Sequence, residues 1–336
     1  MFETNLKFNG TFSLESGCSI KNLNLRINIF GELNSERSNG ILVFHALTGS
    51  ACVSDWWGSV LEQSLDTNRR AVICVNYPGS CYGSTSAREI SSQLNSDNPS
   101  IPILTVRDIA RANKLALDRL GITKLEVAMG GSVGGMLAMQ FAIEYPEIAE
   151  QIIAIGAAPL SAQGLALNHL QREAISSGNL KLARKIAMIS YKSPFLFQTR
   201  FGRKPNRNGE NPADEFDARF DIAGYLDYQG EIFDERFEPE SYEMISKAMD
   251  IFAPTSHDFA KIEADVSLVG ISSDQLFPAQ DIRNLNDTLL SLGVNSTYFE
   301  MDSDDGHDAF LSDTVRMNNV LNEIGLDRTR KCASTV

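Results

Sequence analysis

Gly130-Gly131-Ser132-Val133-Gly134 sets a serine among glycines in the pattern G-x-S-x-G. It directly follows the apolar run 125–129 and precedes a helical pattern that starts near Met136. A tight strand-to-helix bend at such a place holds the serine hydroxyl clear of the sheet, and the glycines omit the Cβ atoms that would collide there. The hydroxyl is a poor nucleophile until a base takes its proton. Where a sheet carries such a bend, an acid and then a histidine follow the serine along the chain. The four histidines are His45, His169, His257 and His307. His45 precedes the serine, and His169 and His257 precede any acid on a late strand. His307 remains, in the turn-rich stretch Asp302-Ser303-Asp304-Asp305-Gly306-His307. Asp274 ends Val269-Gly270-Ile271-Ser272-Ser273-Asp274, beyond the C-terminal end of an apolar strand, the edge at which open α/β sheets build their sites. Asp302, Asp304 and Asp305 are rival carboxylates, but they share the histidine's own loop and are assigned to holding it. Ser132, Asp274 and His307 therefore form a candidate triad for acyl chemistry through a covalent serine.

That chemistry needs two N–H donors aimed at the tetrahedral oxygen. One is expected from the backbone of Val133, next after the nucleophile. The second is expected from Leu47, in the loop His45-Ala46-Leu47-Thr48-Gly49 that follows the strand-like run 41–44. His45 itself is read as a structural hydrogen-bonding residue rather than a base.

A scaffold must hold these groups. Residues 23–30 alternate apolar and polar, the period of a half-exposed strand, which suits an antiparallel edge. Runs 41–44, 71–75, 125–129, 152–155 and 266–270 are short and nearly continuously apolar, as expected of strands covered on both faces. Helix-length segments at 106–120 and 136–145 lie between them. The alternation predicts a doubly wound α/β sheet, mostly parallel. It stops near Pro159 and resumes near Ala264. The stretch between has helical periodicity at 165–175, 180–189 and 242–252. The expected organisation is a core of residues 1–160 and 255–330, with 161–254 inserted as a helical lid.

Composition narrows the function. The 336 residues, 43% hydrophobic and 22% charged, suit a large core. A formal net charge of −13 with no Lys/Arg-rich run opposes nucleic acid or an anionic membrane as partner. No stretch approaches the ~20 apolar residues of a membrane span. Arg200, Arg203, Lys204 and Arg207 offer a local basic patch for an anionic cosubstrate, or a solvated surface. The five cysteines, odd in number and irregular in spacing, with no apolar leader in residues 1–20, are expected to be reduced thiols of a cytoplasmic protein. No spacing suggests a metal site.

The motifs also carry a resemblance. They are His45-Ala46-Leu47-Thr48-Gly49, Asp55-Trp56-Trp57, Gly79-Ser80-Cys81-Tyr82-Gly83-Ser84-Thr85, Thr105-Val106-Arg107-Asp108, Gly130 to Met136, and Gly306-His307-Asp308-Ala309-Phe310-Leu311. In this order and spacing they resemble the homoserine O-acetyltransferase family, acyltransferases of the α/β-hydrolase fold. Gln171-Arg172-Glu173-Ala174-Ile175 and Arg236-Phe237 agree within the inserted stretch, and the likeness covers about residues 40–325. It implies transfer of an acyl group, acetyl first, from acyl-coenzyme A to the hydroxyl of L-homoserine in methionine biosynthesis. It further implies a ping-pong route through an acyl-serine, no permanent cofactor, and a homodimer paired through the lid helices. It puts the substrate-binding arginine at Arg172 and the ammonium-binding aspartate at Asp308.

Three departures from the family pattern touch specificity. Ser86-Ala87-Arg88 follows Thr85, Val133 stands in the elbow, and Tyr191-Lys192-Ser193 replaces Tyr-Arg-Ser. A succinyl donor, serine as acceptor, and a carboxylester hydrolase with the same triad stay open. So does a non-catalytic binding protein on this scaffold, although such proteins usually lose a triad member.

Overall fold

The computed structural model describes residues 1–94, 101–206 and 208–326. Among these residues eight strands form one sheet: β1 (Phe2–Ser13), β2 (Ser19–Phe30), β3 (Gly40–Phe44), β4 (Ala71–Val75), β5 (Leu125–Gly131), β6 (Ala149–Ile155), β7 (Asp265–Ile271) and β8 (Ser296–Met301). Their order is β1-β2-β4-β3-β5-β6-β7-β8. The β1–β2 and β2–β4 pairs are antiparallel, and every pair from β4 to β8 is parallel. The α/β-hydrolase architecture expected from the sequence is therefore present.

The apolar runs explain the parallel strands. All five residues of β3 and of β4 are buried. Leu42, Phe44, Ile73 and Val75 enter the core on one face of the sheet, while Ile41, Val43, Val72 and Cys74 enter the core on the other. Each such side chain contributes about 1.5–3 kcal/mol by leaving water, so alternation of polarity on these strands would cost one core outright. β1 was not foreseen. Its exposed residues and interspersed charges give no buried run, and it forms only because β2 offers it a long antiparallel edge.

Helices fill the crossovers: α1 (Ser54–Gln63), α2 (Ala87–Leu94), α3 (Val106–Leu120) and α4 (Val133–Glu144). Thr105 starts α3 with a capping box, its hydroxyl accepting from Asp108 N and the Asp108 carboxylate accepting from Thr105 N. Gly121 ends it at φ +68°. α4 is buried from Val133 through Ile143, as befits a helix packed on all sides.

Between β6 and β7 the chain leaves the sheet. It forms α5 (Ala162–Ser176), α6 (Leu180–Tyr191), α7 (Pro194–Arg200), α8 (Asp221–Asp234), α9 (Pro239–Ile251) and the single turn α10 (Ser256–Phe259). α6 packs on α5 and α8, and α5 packs on α9. After β7 come α11 (Ala279–Ser291), a 3₁₀ turn over Gly306–Asp308, α12 (Ala309–Ser312) and α13 (Thr314–Ile324). Among the described residues, no helix is long and apolar enough to cross a membrane. Cys18, Cys52, Cys74 and Cys81 are unbonded, and Arg207 and Cys332 lie outside the described residues.

Candidate active site

Ser132 occupies the junction of β5 and α4 with φ +59°, a region that residues with a Cβ rarely adopt. The bend is held by its neighbours. Ser132 N donates to Ile155 O at 2.9 Å, and Gly135 N donates to Ser132 O at 2.9 Å. The bend also lies against the end of β3, where a Cβ on Gly130 would stand 2.6 Å from the Phe44 carbonyl oxygen. The strand and helix can meet so closely only without side chains there, which is why the motif carries glycines.

His307 and Asp274 come from loops at the C-terminal ends of β8 and β7. His307 Nδ1 lies 2.6 Å from Asp274 Oδ2, with both side chains buried. The other carboxylate oxygen, Oδ1, accepts from Leu276 N at 2.8 Å and Phe277 N at 2.9 Å. Asp274 is thus fixed by its own backbone turn before it meets the imidazole. The imidazole packs among Tyr191, Phe277 and Phe310. Burial opposes the imidazolium, but the charge and hydrogen bond of Asp274 outweigh it, and the His307 pKa is raised above the ordinary histidine value.

The two loops are laced by hydroxyls that the sequence reading did not single out. Ser273 Oγ donates to Ser303 O at 2.5 Å and accepts from Gly306 N at 2.9 Å. Ser272 Oγ accepts from Ser303 N at 3.1 Å. Asp302 meets Ser272 Oγ, and Asp305 accepts from Ser312 Oγ at 2.7 Å, so these rivals to Asp274 engage hydroxyls of the loops around the histidine.

Ser132, His307, Leu47 and Asp308 line one cavity of about 720 Å³, together with Arg184, Tyr191, Trp56, Tyr82 and Arg236. Val133 opens α4, where first-turn N–H groups lack partners within the helix. Leu47 sits in a turn closed by Gly49 N donating to Ala46 O at 2.9 Å. The same oxygen lies 2.8 Å from His45 Nδ1. His45 is fully buried and stacked on Tyr77 with centroids 3.7 Å apart. Burial drives its pKa down to about 4, partly opposed by the bond to Ala46, so the ring is neutral at neutral pH and donates from Nδ1.

Arg172 is not brought to this cavity. It lies on the face of α5 that meets α9, paired with Asp250 and 3.3 Å from Ser246 Oγ. It lines a separate depression with Ile103, Met244 and Lys247, not the cavity of Ser132. Arg184 of α6 lines that cavity instead, its guanidinium over the rings of Tyr191 and Phe233. Its buried Nε finds no hydrogen-bond partner among the described residues. In sequence Arg184 sits beside Lys181 and Lys185 and reads as part of a solvated helix face. The missed signal was its spacing of seven from Tyr191, two helical turns, which puts both on one face. Asp308 does line the cavity, its carboxylate 3.1 Å from Lys192 Nζ. Arg200, Arg203 and Lys204 make no joint patch there. Arg200 covers Tyr225, Arg203 covers Phe220, and Lys204 Nζ donates to Arg200 O.

One cavity thus gathers a serine hydroxyl, an imidazole paired with a buried carboxylate, a guanidinium and a second carboxylate, side chains able to support acyl chemistry. Comparison with known proteins narrows the class. A model of the alpha/beta hydrolase fold matches residues 40–314. Homoserine O-acetyltransferase of Geotalea uraniireducens is 35% identical over 92% of this chain and 92% of its own. Homoserine O-succinyltransferase of Alkalilimnicola ehrlichii is 34% identical over 91% of this chain and 90% of its own. Among solved structures, esterase E22 superposes with a TM-score of 0.83 at 19% identity, covering 96% of this chain and 99% of its own, a likeness of fold.

Proposed function

As the chain belongs to the homoserine O-acetyltransferase family within the α/β hydrolases, we propose that it moves an acetyl group from acetyl-coenzyme A to the hydroxyl of L-homoserine, a step of methionine biosynthesis. His307 Nε2 takes the Ser132 proton as Ser132 Oγ bonds to the thioester carbon. The oxyanion rests on the N–H groups of Leu47 and Val133. When the C–S bond breaks, the thiolate leaves with the proton from His307, and the acyl group stays as an ester of Ser132. His307 then accepts the proton of the homoserine hydroxyl, whose oxygen bonds to the acyl carbon. The bond to Ser132 Oγ breaks and the proton returns there.

The acceptor is an amino acid, with a charge at each end. Arg184, not Arg172, offers the donors for its carboxylate, and Asp308 offers a partner for its ammonium. Lys192 neutralises Asp308, and an incoming ammonium competes with it. The observation that carries the reading is that opposite charges at Arg184 and Asp308 share a cavity with Ser132 and His307. A plain ester hydrolase has no use for that pair.

Transfer outruns hydrolysis only if water is kept from the acyl-serine. We assign that task to the helical insertion, residues 161–254, which supplies Arg184, Tyr191 and Arg236 to the cavity wall. Exposed apolar side chains on these helices, among them Leu182, Ile189 and Phe195, suit pairing of two copies through the insertion, in a cytoplasmic dimer.

The test supplies acetyl- or succinyl-coenzyme A with homoserine, serine or no acceptor, follows thiol release, and identifies products by mass. Release that depends on homoserine, with O-acetylhomoserine as product, is expected. Equal release without any acceptor favours the hydrolase reading.

A further inference from the structure

The helical insertion reaches the oxyanion turn through the side chain of Arg236. Arg236, just beyond α8, donates from Nη1 to Thr48 O at 3.1 Å and to Tyr82 Oη at 2.7 Å. Its guanidinium also covers the Phe233 ring. The residues around it fix the junction. Glu238 N meets Cys81 Sγ at 3.3 Å, and Phe237 packs edge-on against Tyr82. The Tyr82 carbonyl accepts from Asn76 Nδ2, and Asn76 Oδ1 accepts from Ala51 N at 2.6 Å.

The bonding follows a sequence along the turn. Thr48 O belongs to the peptide unit whose N–H is that of Gly49. That N–H donates to Ala46 O at 2.9 Å. Ala46 O belongs to the next unit, whose N–H is that of Leu47. Drawing density toward an amide oxygen makes the N–H of the same amide a better donor, and such chains strengthen cooperatively. A cation at Thr48 O thus acts through two peptide units on the Leu47 N–H. His45, neutral, adds a second donor to the middle oxygen.

We propose that Arg236 is a positioning residue for the oxyanion hole: from the helical insertion it holds and polarises the turn 46–49 so that the Leu47 N–H meets the developing oxyanion. The proposal rests on the reading of Leu47 as an oxyanion donor and Ser132 as the nucleophile. It gives the insertion a part in the chemical step besides shielding, because a turn released from Arg236 presents a weaker and less fixed donor. Removing a whole oxyanion donor typically costs a hundredfold or more, so removing the group behind one is expected to cost about tenfold.

Arg236→Gln and Arg236→Lys would be compared with wild type by stopped-flow thiol release from acetyl-coenzyme A, reporting the acylation rate constant and the donor concentration at half-saturation. Expected is acylation slower by about tenfold in Arg236→Gln with half-saturation within about twofold, and a partial return in Arg236→Lys, which keeps a donor and a charge. Acylation at the wild-type rate in Arg236→Gln overturns the proposal. So does a loss shared by rate, half-saturation and melting temperature that Lys does not relieve, since that is the mark of packing alone. Ser132→Ala is run alongside: if it still releases thiol in a burst, the reading of the nucleophile fails and takes the proposal with it. If it is silent while Arg236→Gln is normal, the proposal fails by itself.

Discussion

Asp274 Oδ2 stands 2.6 Å from His307 Nδ1, while its other oxygen is held by two backbone N–H groups three residues away or fewer. The carboxylate therefore cannot turn to follow the imidazole. The imidazole is aligned to it through Nδ1, which leaves Nε2 outside that bond.

That geometry predicts a large effect of a small change. Asp274→Asn keeps the shape but removes the charge and offers the wrong hydrogen-bonding group to Nδ1, so the acylation rate should fall by about three to four orders of magnitude. The donor concentration at half-saturation should hardly move. Single-turnover thiol release measures both.

The same pair sets the pH dependence. With Asp274 present, His307 titrates above 6.5, so the acid limb of the rate profile should lie above that value. In Asp274→Asn burial is opposed only by the charge of Asp308, itself countered by Lys192, and the residual activity should show its acid limb shifted downward. The protonated pair also supports the fold. A raised folded pKa means this contribution is complete below pH 6.5 and is lost as pH rises through the folded value. The slope of melting temperature against pH should flatten across that window in the Asn variant.

His45 has the opposite sign. Its folded pKa of about 4 lies below the ordinary 6.5, so burying it neutral contributes stability above pH 6.5 that is lost as pH falls toward 4. The shift corresponds to about 3 kcal/mol. His45→Asn, whose amide can still donate toward Ala46 O, should lose that acid sensitivity and keep more acylation rate than His45→Leu. Urea unfolding at neutral pH and at pH 4.5–5, with thiol release alongside, separates the two.

The two lid arginines should differ in kind. Arg184→Ala should raise the KM for homoserine by about a hundredfold or more, through loss of a charge-assisted carboxylate contact, with little change in acylation by the donor alone. Arg172→Ala should leave that KM within about twofold and lower stability by about 1–3 kcal/mol, since Asp250, itself mostly buried, loses its cationic partner and keeps only the bond from Asn168. Steady-state kinetics with homoserine varied, beside thermal melts, decides between them.

What was legible in the chain follows from these residues. β3 to β7 announce themselves because strands covered on both faces need apolar runs, and the serine is marked because only glycines fit beside the Phe44 carbonyl. Ser–Asp–His order along the chain singled out Asp274 and His307, whose 2.6 Å approach no local pattern encodes, and Ser132, which lines the same cavity as His307. β1 stayed hidden because a solvated edge strand carries no core pattern. Arg172 was assigned to the cavity on resemblance alone. Periodicity puts a residue on a helix face but does not say which neighbour that face meets, and here α9 took Arg172 while the cavity took Arg184. Arg236 showed only as part of a matching motif, and its contact could not be read, since its partner is a main-chain oxygen 188 positions away.

The central claim is that the acyl group rests on Ser132 between donor and acceptor. Its most direct measurement is the intact mass of the protein mixed with acetyl-coenzyme A alone, followed by peptide mapping and then addition of homoserine. The account predicts one acetyl group per chain on the peptide holding Ser132, its discharge into O-acetylhomoserine when homoserine arrives, and no adduct in Ser132→Ala. Turnover retained by Ser132→Ala, or an acetyl group that maps to another residue and discharges equally well, would contradict it.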